Sequence, residues 1–416
     1  MKITSINFKN LIVLACLLLT FLTTNAQTQK GFDIQGEVEM DNSGRSVCMP
    51  DANTIAIGSP QNNGNGLYSG HVRVYSWIGS VWVQKGSDIL GEGTEDWSGA
   101  AVSMPDANTI AIGADGNDGN GFNSGHVRVY RWIDSVWEQK GADIDGETEL
   151  DASGYSVSMP DANTIAIGAH YNSKDAGHVR IFNWNGNSWE LRGSELVGEA
   201  IHDWSGYSVS MPDFNTIAIG APNNDGNGED AGHVRVYSCS GIYGSWSIPT
   251  WVQKGGDIDG EAEMDNSGYS VSMPDSNTIA IGAPYNDGNG EDAGHVRIFS
   301  WSGTAWVQKG ADIDGETAGD FTGSSVSMPD SNIIAIGARR NDGNGEDAGH
   351  VRIYSWSGTA WVQKGADIDG AAARDYFGIS VSMPDANTIA IGADGNDGNG
   401  IDAGHVRVYK VGHGEL

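Results

Sequence analysis

Ser270-Val271-Ser272-Met273-Pro274-Asp275-Ser276-Asn277-Thr278-Ile279-Ala280-Ile281-Gly282 is the stretch whose reading decides the fold. Its first four residues alternate, and Pro-Asp-Ser-Asn then reads as a turn, because Pro presets φ for the second turn position and Asp and Asn tolerate the conformations of the next ones. Thr278 to Gly282 alternates large apolar with small residues, the mark of a strand packed closely on one face. A loop dense in Asn, Asp and Gly runs from Ala283 to Ala293. Gly294-His295-Val296-Arg297-Ile298-Phe299-Ser300-Trp301 is a third alternating segment. After the Ser302-Gly303-Thr304 turn, Ala305-Trp306-Val307-Gln308 is a fourth, and Lys309-Gly310 leads into the next copy.

The same block fills the chain. Met-Pro-Asp begins at Met49, Met104, Met159, Met211, Met273, Met328 and Met383, a spacing of 55 residues broken once by 52 and once by 62. Self-similarity at a fixed period signals a repeat architecture in which no unit buries its apolar face alone. The 60 glycines among 416 residues recur at fixed places in the blocks, which argues for tight turns rather than disorder. Four short antiparallel strands per block and no helical periodicity predict an all-β, seven-bladed β-propeller, since radial repetition protects sheet edges and buries both faces of each blade. A β-solenoid is the alternative, but its capping units are not visible. The last block stops at Val406-Arg407-Val408-Tyr409-Lys410 without a Trp-Val-Gln strand. Gln27-Thr28-Gln29-Lys30-Gly31 aligns with the missing piece, and so is predicted to pair as the outer strand of the last blade and close the ring.

Residues 1–26 read as a secretory signal, with Lys2 and Lys9 basic, Leu11 to Leu22 apolar, and Thr24-Asn25-Ala26 a small-residue cleavage site. The expected product is one propeller over residues 27–416, exported to the cell surface, periplasm or medium, without a membrane span and monomeric. Cys16 offers a lipoprotein start as the lesser reading. The net charge of −31 disfavours nucleic acid and anionic lipid as partners. Cys48 and Cys239 stand at non-equivalent places, so no disulfide is expected to hold the fold.

Phe377-Gly378-Ile379-Ser380-Val381-Ser382, Gly282-Ala283-Pro284 and Gly294-His295-Val296-Arg297-Ile298-Phe299 resemble the FG-GAP repeat, the blade unit of integrin alpha-chain propellers and of many bacterial surface and secreted proteins. The resemblance runs over all seven blocks, from about Gly31 to Tyr409. It implies adhesion or ligand capture outside the cell. Five blocks read Ser-Gly in place of Phe-Gly, as at Ser43-Gly44 and Ser267-Gly268, and one has Phe321-Thr322-Gly323. The calcium loop that integrin blades often carry between their first two strands is here cut to Met-Pro-Asp-Ala-Asn, which has too few oxygens for such a site.

A second acidic pattern supplies candidate calcium ligands. Asp257, Asp259, Glu261 and Asp265 stand at relative positions 1, 3, 5 and 9, repeated as Asp143, Asp145, Glu147 and Asp151, and as Asp312, Asp314, Glu316 and Asp320. Hard oxygens at alternating positions suit Ca²⁺. The alternative is a solvated connection with an Asp capping a turn. Asn-Asp-Gly-Asn-Gly, as at Asn286 to Gly290, is a surface turn, with Asp287, Glu291 and Asp292 as a weaker cation candidate. His71, His126, His178, His233, His295, His350 and His405 cannot all be one catalytic base and read as structural, as do tryptophan pairs such as Trp301 and Trp306. No catalytic signature is present, so no enzyme is expected; a carbohydrate-active site at the central opening would need residues that break the repeat. The exceptions to the repeat are therefore informative. An insertion within Ser238 to Thr250 carries Ile242, Tyr243, Trp246 and Ile248, a candidate contact loop for a protein or glycan ligand. The same block has Cys239 for Trp and Phe214 for Ala or Ser. The third shortens its long loop to His170 through Ala176, and the sixth carries Arg339-Arg340.

Overall fold

The computed structural model describes residues 27–240 and 249–412. Seven antiparallel sheets follow one another in chain order, each running from an innermost strand to an outer one. Blade 5 is representative, with strands Ser270–Asp275, Thr278–Ala283, His295–Trp301 and Trp306–Gln308. Its outer strand is interrupted, because Ile313–Asp314 returns to pair with the other half of His295–Trp301. The turn between the first two strands is tighter than predicted. Pro274 and Asp275 still belong to the innermost strand, where the register slips between Ser272 and Asp275. Pro is tolerated at such an irregularity, where the ladder does not need its missing N–H. The Asp275 Oδ1 accepts the Asn277 amide at 2.7 Å and closes the turn.

The alternation Ile-Ala-Ile-Gly makes sense only between blades. Every residue of Thr278–Ala283 is buried, as in the equivalent strand of most blades. Ile279 and Ile281 pack against Ala218, Val234 and Val236 of blade 4, whereas Ala280 and Ile298 face Ile334 and Ile336 of blade 6. A large face of one sheet thus lies on the small face of the last, giving seven apolar clusters, one per seam. Close to the axis the backbones themselves touch. A Cβ on Gly282 would collide with the Gly323 carbonyl, and Gly323 holds φ 88°, which glycine alone adopts cheaply. Those two glycines belong to the Gly-Ala-Pro and Phe-Gly positions. Ser270 Oγ donates to Gly323 O at 2.8 Å, and the Met328 amide donates to Ser272 Oγ at 3.0 Å. Cys48 takes the serine place in blade 1, accepting the Met104 amide at 3.2 Å. It and Cys239 are free thiols.

The ring closes as the chain ends predict. Thr28–Gln29 pairs with Lys410 and Tyr409, and Ile34–Gln35 with Val406 and His405. The inner bonds also close, from the Met49 amide to Ser382 Oγ and from Ser380 Oγ to Gly44 O.

Each seam carries a peripheral clamp as well. Lys254 leaves the outer strand of blade 4 and lies 5.2 Å and 5.3 Å from the ring centroids of Trp301 and Trp306 in blade 5. Its ammonium donates to Ser276 O and to Asn277 Oδ1, and Trp306 Nε1 donates to Lys254 O at 2.7 Å. Blade 7 lacks the tryptophans, and Gln27 Nε2 donates instead to Lys364 O at 3.2 Å. Between blades 3 and 4 three substitutions compensate one another. Arg192 replaces the lysine, Cys239 removes a tryptophan, and Phe214 supplies the lost face with its ring 3.5 Å from the guanidinium. The shortened loop of blade 3 forms one helical turn, Asn172–Asp175.

The seven glycine-histidines are almost fully buried, and desolvation followed by a neighbouring arginine, such as Arg235 beside His233, lowers their pKa, in most to about 4. The native state therefore refuses protons that the unfolded chain, with imidazoles near 6.5, accepts. Stability is full above pH 6.5 and falls as the pH drops toward 4, by about 1.4 kcal/mol per pH unit for each histidine that stays neutral. Thermal melts between pH 7.5 and 4.5 check this, and His233→Gln should flatten the slope. At the unusual seam, Arg192→Lys should cost about 1–2 kcal/mol by loss of the stacked fork, read by denaturant unfolding, whereas the triple change with Phe214→Ala and Cys239→Trp restores stability.

Candidate functional site

The acidic sets predicted from spacing are divided by the fold. Asp257, Asp259 and Glu261 line one groove between blades 4 and 5 with Arg297 and Phe299, and Asp312, Asp314 and Glu316 line the next with Arg352 and Tyr354. Asp265 and Asp320 do not join them. Each is buried and accepts two backbone amides of its own turn, Asp265 from Glu261 and Ala262, and Asp320 from Glu316 and Thr317. Asp151 does the same for Glu147 and Thr148, while Asn172 Nδ2 donates to its other oxygen. Position 9 is thus the turn cap that the alternative reading named.

Positions 1 and 5 point to different histidines. Asp257 gathers with Glu199 around His233, and Glu261 with Asp312 around His295. In blades 2 and 3, Asp143 lies with Glu92 near His126, and Glu147 with Glu195 near His178. Asp145 and Asp259 are raised in pKa by burial and by the neighbouring Asp143 and Asp257. Each glutamate also meets an arginine, with Glu261 Oε1 3.5 Å from Arg297 and Glu147 Oε1 3.7 Å from Arg180. A divalent cation in these grooves would compete with that guanidinium for the same carboxylate. Asp287 is used locally, its Oδ1 accepting the Asp292 amide at 2.9 Å. Ile242, Tyr243, Trp246 and Ile248 lie outside the described residues, as do residues 1–26.

A different set of side chains meets at one end of the central opening. Just after the Ser-Gly, Thr-Gly or Phe-Gly pair, at or near the start of each innermost strand, stand Arg45, Ala100, Tyr155, Tyr207, Tyr269, Ser324 and Ile379 in blades 1 to 7, and all seven line one pocket of about 360 Å³. Behind them stand residues that come after the second strands, Pro60, Gln61, Asp115 and Arg339. Blades 3, 4 and 5 contribute a shelf of three tyrosines, with neighbouring ring centroids 4.9 Å apart at 47° and 49°. His170, 2% exposed, abuts Tyr155 at 4.1 Å and Trp204 edge-on at 6.0 Å.

The opposite wall is charged. Arg45 lines the pocket, and its guanidinium forms no ion pair among the described residues. Arg339 lies 5.8 Å from the Tyr269 ring, and its Nε has no partner among the described residues. Burial raises the Asp115 carboxyl to about 6, against the pull of Arg45, and its Oδ1 is buried without a partner among those residues. Asp394 is likewise raised by burial, opposed by Arg45 and Arg339. Burial pushes the Tyr155 hydroxyl up to about 12 and holds that of Tyr207 well above its ordinary value. For Tyr269 burial is outweighed by Arg339, Tyr207 and Arg45, which hold its hydroxyl below the ordinary value. Burial alone lowers His170 to about 3, so it is neutral. The pocket can therefore present aromatic faces, hydroxyls, two cations and the Asp115 carboxyl to one small ligand.

Sequence reasoning missed this site. Its signal was nevertheless there, because the residue after each Ser-Gly is among the most divergent in a block whose neighbours barely change.

Two segments, residues 258–299 and 366–409, match the FG-GAP repeat family. This chain carries FG-GAP repeats. Among solved structures, the WD40 β-propeller domain of Doa1 is similar over 92% of this chain and 97% of that one, at 13% identity and a TM-score of 0.51. That likeness speaks for the propeller alone. No curated protein matches the chain. An FG-GAP propeller is consistent with a binding or adhesion role, and no helix among the described residues is long and apolar enough to cross a membrane.

The charged wall has a titration to check. Asp115 faces Arg45, with Tyr155 and Tyr171 nearby, and should titrate near pH 6 by carboxyl NMR. Arg45→Gln should move its midpoint upward, because the guanidinium favours the carboxylate.

Proposed function

We propose that this protein is an exported, non-enzymatic propeller that captures a protein or carbohydrate ligand outside the cell, with its recognition site at the axial pocket. One observation carries the reading. Residues repeated in every blade build seams and turns, whereas those that differ between blades converge on a concave site with two arginines outside any ion pair among the described residues and a run of tilted tyrosine rings. Pockets of this size with a few converging polar groups are the usual form of a ligand site, and a rigid ring pre-organises them. Export rests on the 1–26 signal, and the acidic surface turns nucleic acid and anionic membrane away.

A second reading draws on the same pocket. Asp115 is a carboxyl that most blades do not repeat, lining the opening where a carbohydrate-active site would sit. Its raised pKa suits the general acid of glycoside hydrolysis, which works with a second carboxylate that stays ionised.

Glycan and protein arrays probed with wild type, Tyr207→Ala and a chain lacking residues 241–249 decide between sites. Wild type and the loop deletion should give the same hits, and Tyr207→Ala should lose them. Loss on loop deletion alone would transfer the site to blade 4. Release of reducing ends from the bound glycan, abolished by Asp115→Asn, would favour the enzyme.

A further inference from the structure

The chemistry of the pocket wall narrows the ligand class, on the premise that the axial pocket is the recognition site. On a chain of net charge −31, two arginines stand at the one opening where blades differ, and neither is neutralised by an ion pair among the described residues. Arg45 and Arg339 both act on Asp394 and on Tyr269, so they look onto the same space. A guanidinium fork is matched by a planar carboxylate, which takes two parallel hydrogen bonds.

A bare acid would answer only half of the wall. Asp115 Oδ1 is an orphaned acceptor that would repel an anion with nothing to donate. A hydroxyl group satisfies it, since the hydroxyl donates to the carboxylate while its oxygen accepts from a tyrosine. The three tyrosines supply tilted aromatic rings with neighbouring centroids 4.9 Å apart, apolar surface against which the C–H face of a saturated ring can pack. The volume of about 360 Å³ suits one ring and part of a neighbour rather than a folded partner.

We propose that the axial pocket binds an acidic sugar residue, a hexuronate, with its carboxylate on Arg45 and Arg339, its ring against Tyr155, Tyr207 and Tyr269, and a hydroxyl on Asp115. One ligand then satisfies the cations, the acceptor and the aromatic shelf together. The same chemistry is offered by a free uronic acid and by a uronate within an extracellular polysaccharide.

Calorimetric titration of the full mature chain tests this with galacturonate, glucuronate, short oligogalacturonides, galactose and the methyl ester of galacturonate. A uronate should bind at least about tenfold tighter than the neutral sugar or the ester, as expected for a charge-assisted bidentate pair. The Arg45→Gln, Arg339→Gln double variant should lose that preference while keeping the wild-type melting temperature and weak neutral-sugar binding. Tyr207→Ala should weaken all sugars alike. Tighter binding of the oligomers than of the monomers points to a polysaccharide source, and equal binding to a free acid. If galactose binds as tightly as galacturonate, the acidic class is overturned while the pocket stands. Binding of an acidic peptide in place of any sugar, sensitive to the same variants, overturns it too. If no probe binds and the array hits ignore Tyr207→Ala, both this inference and the axial site fall.

Discussion

The seam between blades is the constraint on which everything else rests. A sheet with Ile on one face and Ala or Gly on the other is stable only when a neighbour covers each face, and only a closed circle gives every blade two neighbours. The Gly282 to Gly323 contact sets how close the inner strands come, because any side chain there would push the backbones apart. Ser272 to Met328 and its equivalents then tie strand to strand around the axis. Further out, a lysine between two tryptophans fastens the rim.

These devices tolerate change when it is matched. Cys48 replaces a serine and still accepts an amide. Arg192, Phe214 and Cys239 change together so that a cation keeps an aromatic partner. Gln27 repeats with its amide what a tryptophan indole does elsewhere. In the sequence the Cys239 and Phe214 departures stand out as informative exceptions, and they prove to be packing solutions once the neighbour is known. The axial departures differ in kind. Arg45, Asp115 and Arg339 leave polar atoms unpartnered or unpaired among the described residues and repair no seam.

Burial also separates two roles for charge. Position-9 aspartates such as Asp265 spend their oxygens on backbone amides, and the glutamates of the interblade grooves, such as Glu261, are paired with arginine. The chain's acidity therefore shapes its surface field while most of its buried acids serve turns. At the axis, by contrast, carboxyl and guanidinium groups share an enclosed space without full mutual pairing.

Read alone, the sequence determined the repeat number, the strand pattern and the closing of the ring by residues 27–31, because all three come from periodicity and from a missing strand at one end matched at the other, whereas the further pairing of Ile34–Gln35 came from the structure. It also marked the buried histidines as structural, since seven copies cannot make one site. Convergence was decided by the tertiary structure. Asp257 and Asp265 are close in sequence yet serve different places, and Arg45 and Arg339 are almost 300 residues apart yet look onto one cavity. Position along a block fixes height and radius in a propeller, but only the closed circle brings seven non-equivalent residues face to face across the axis.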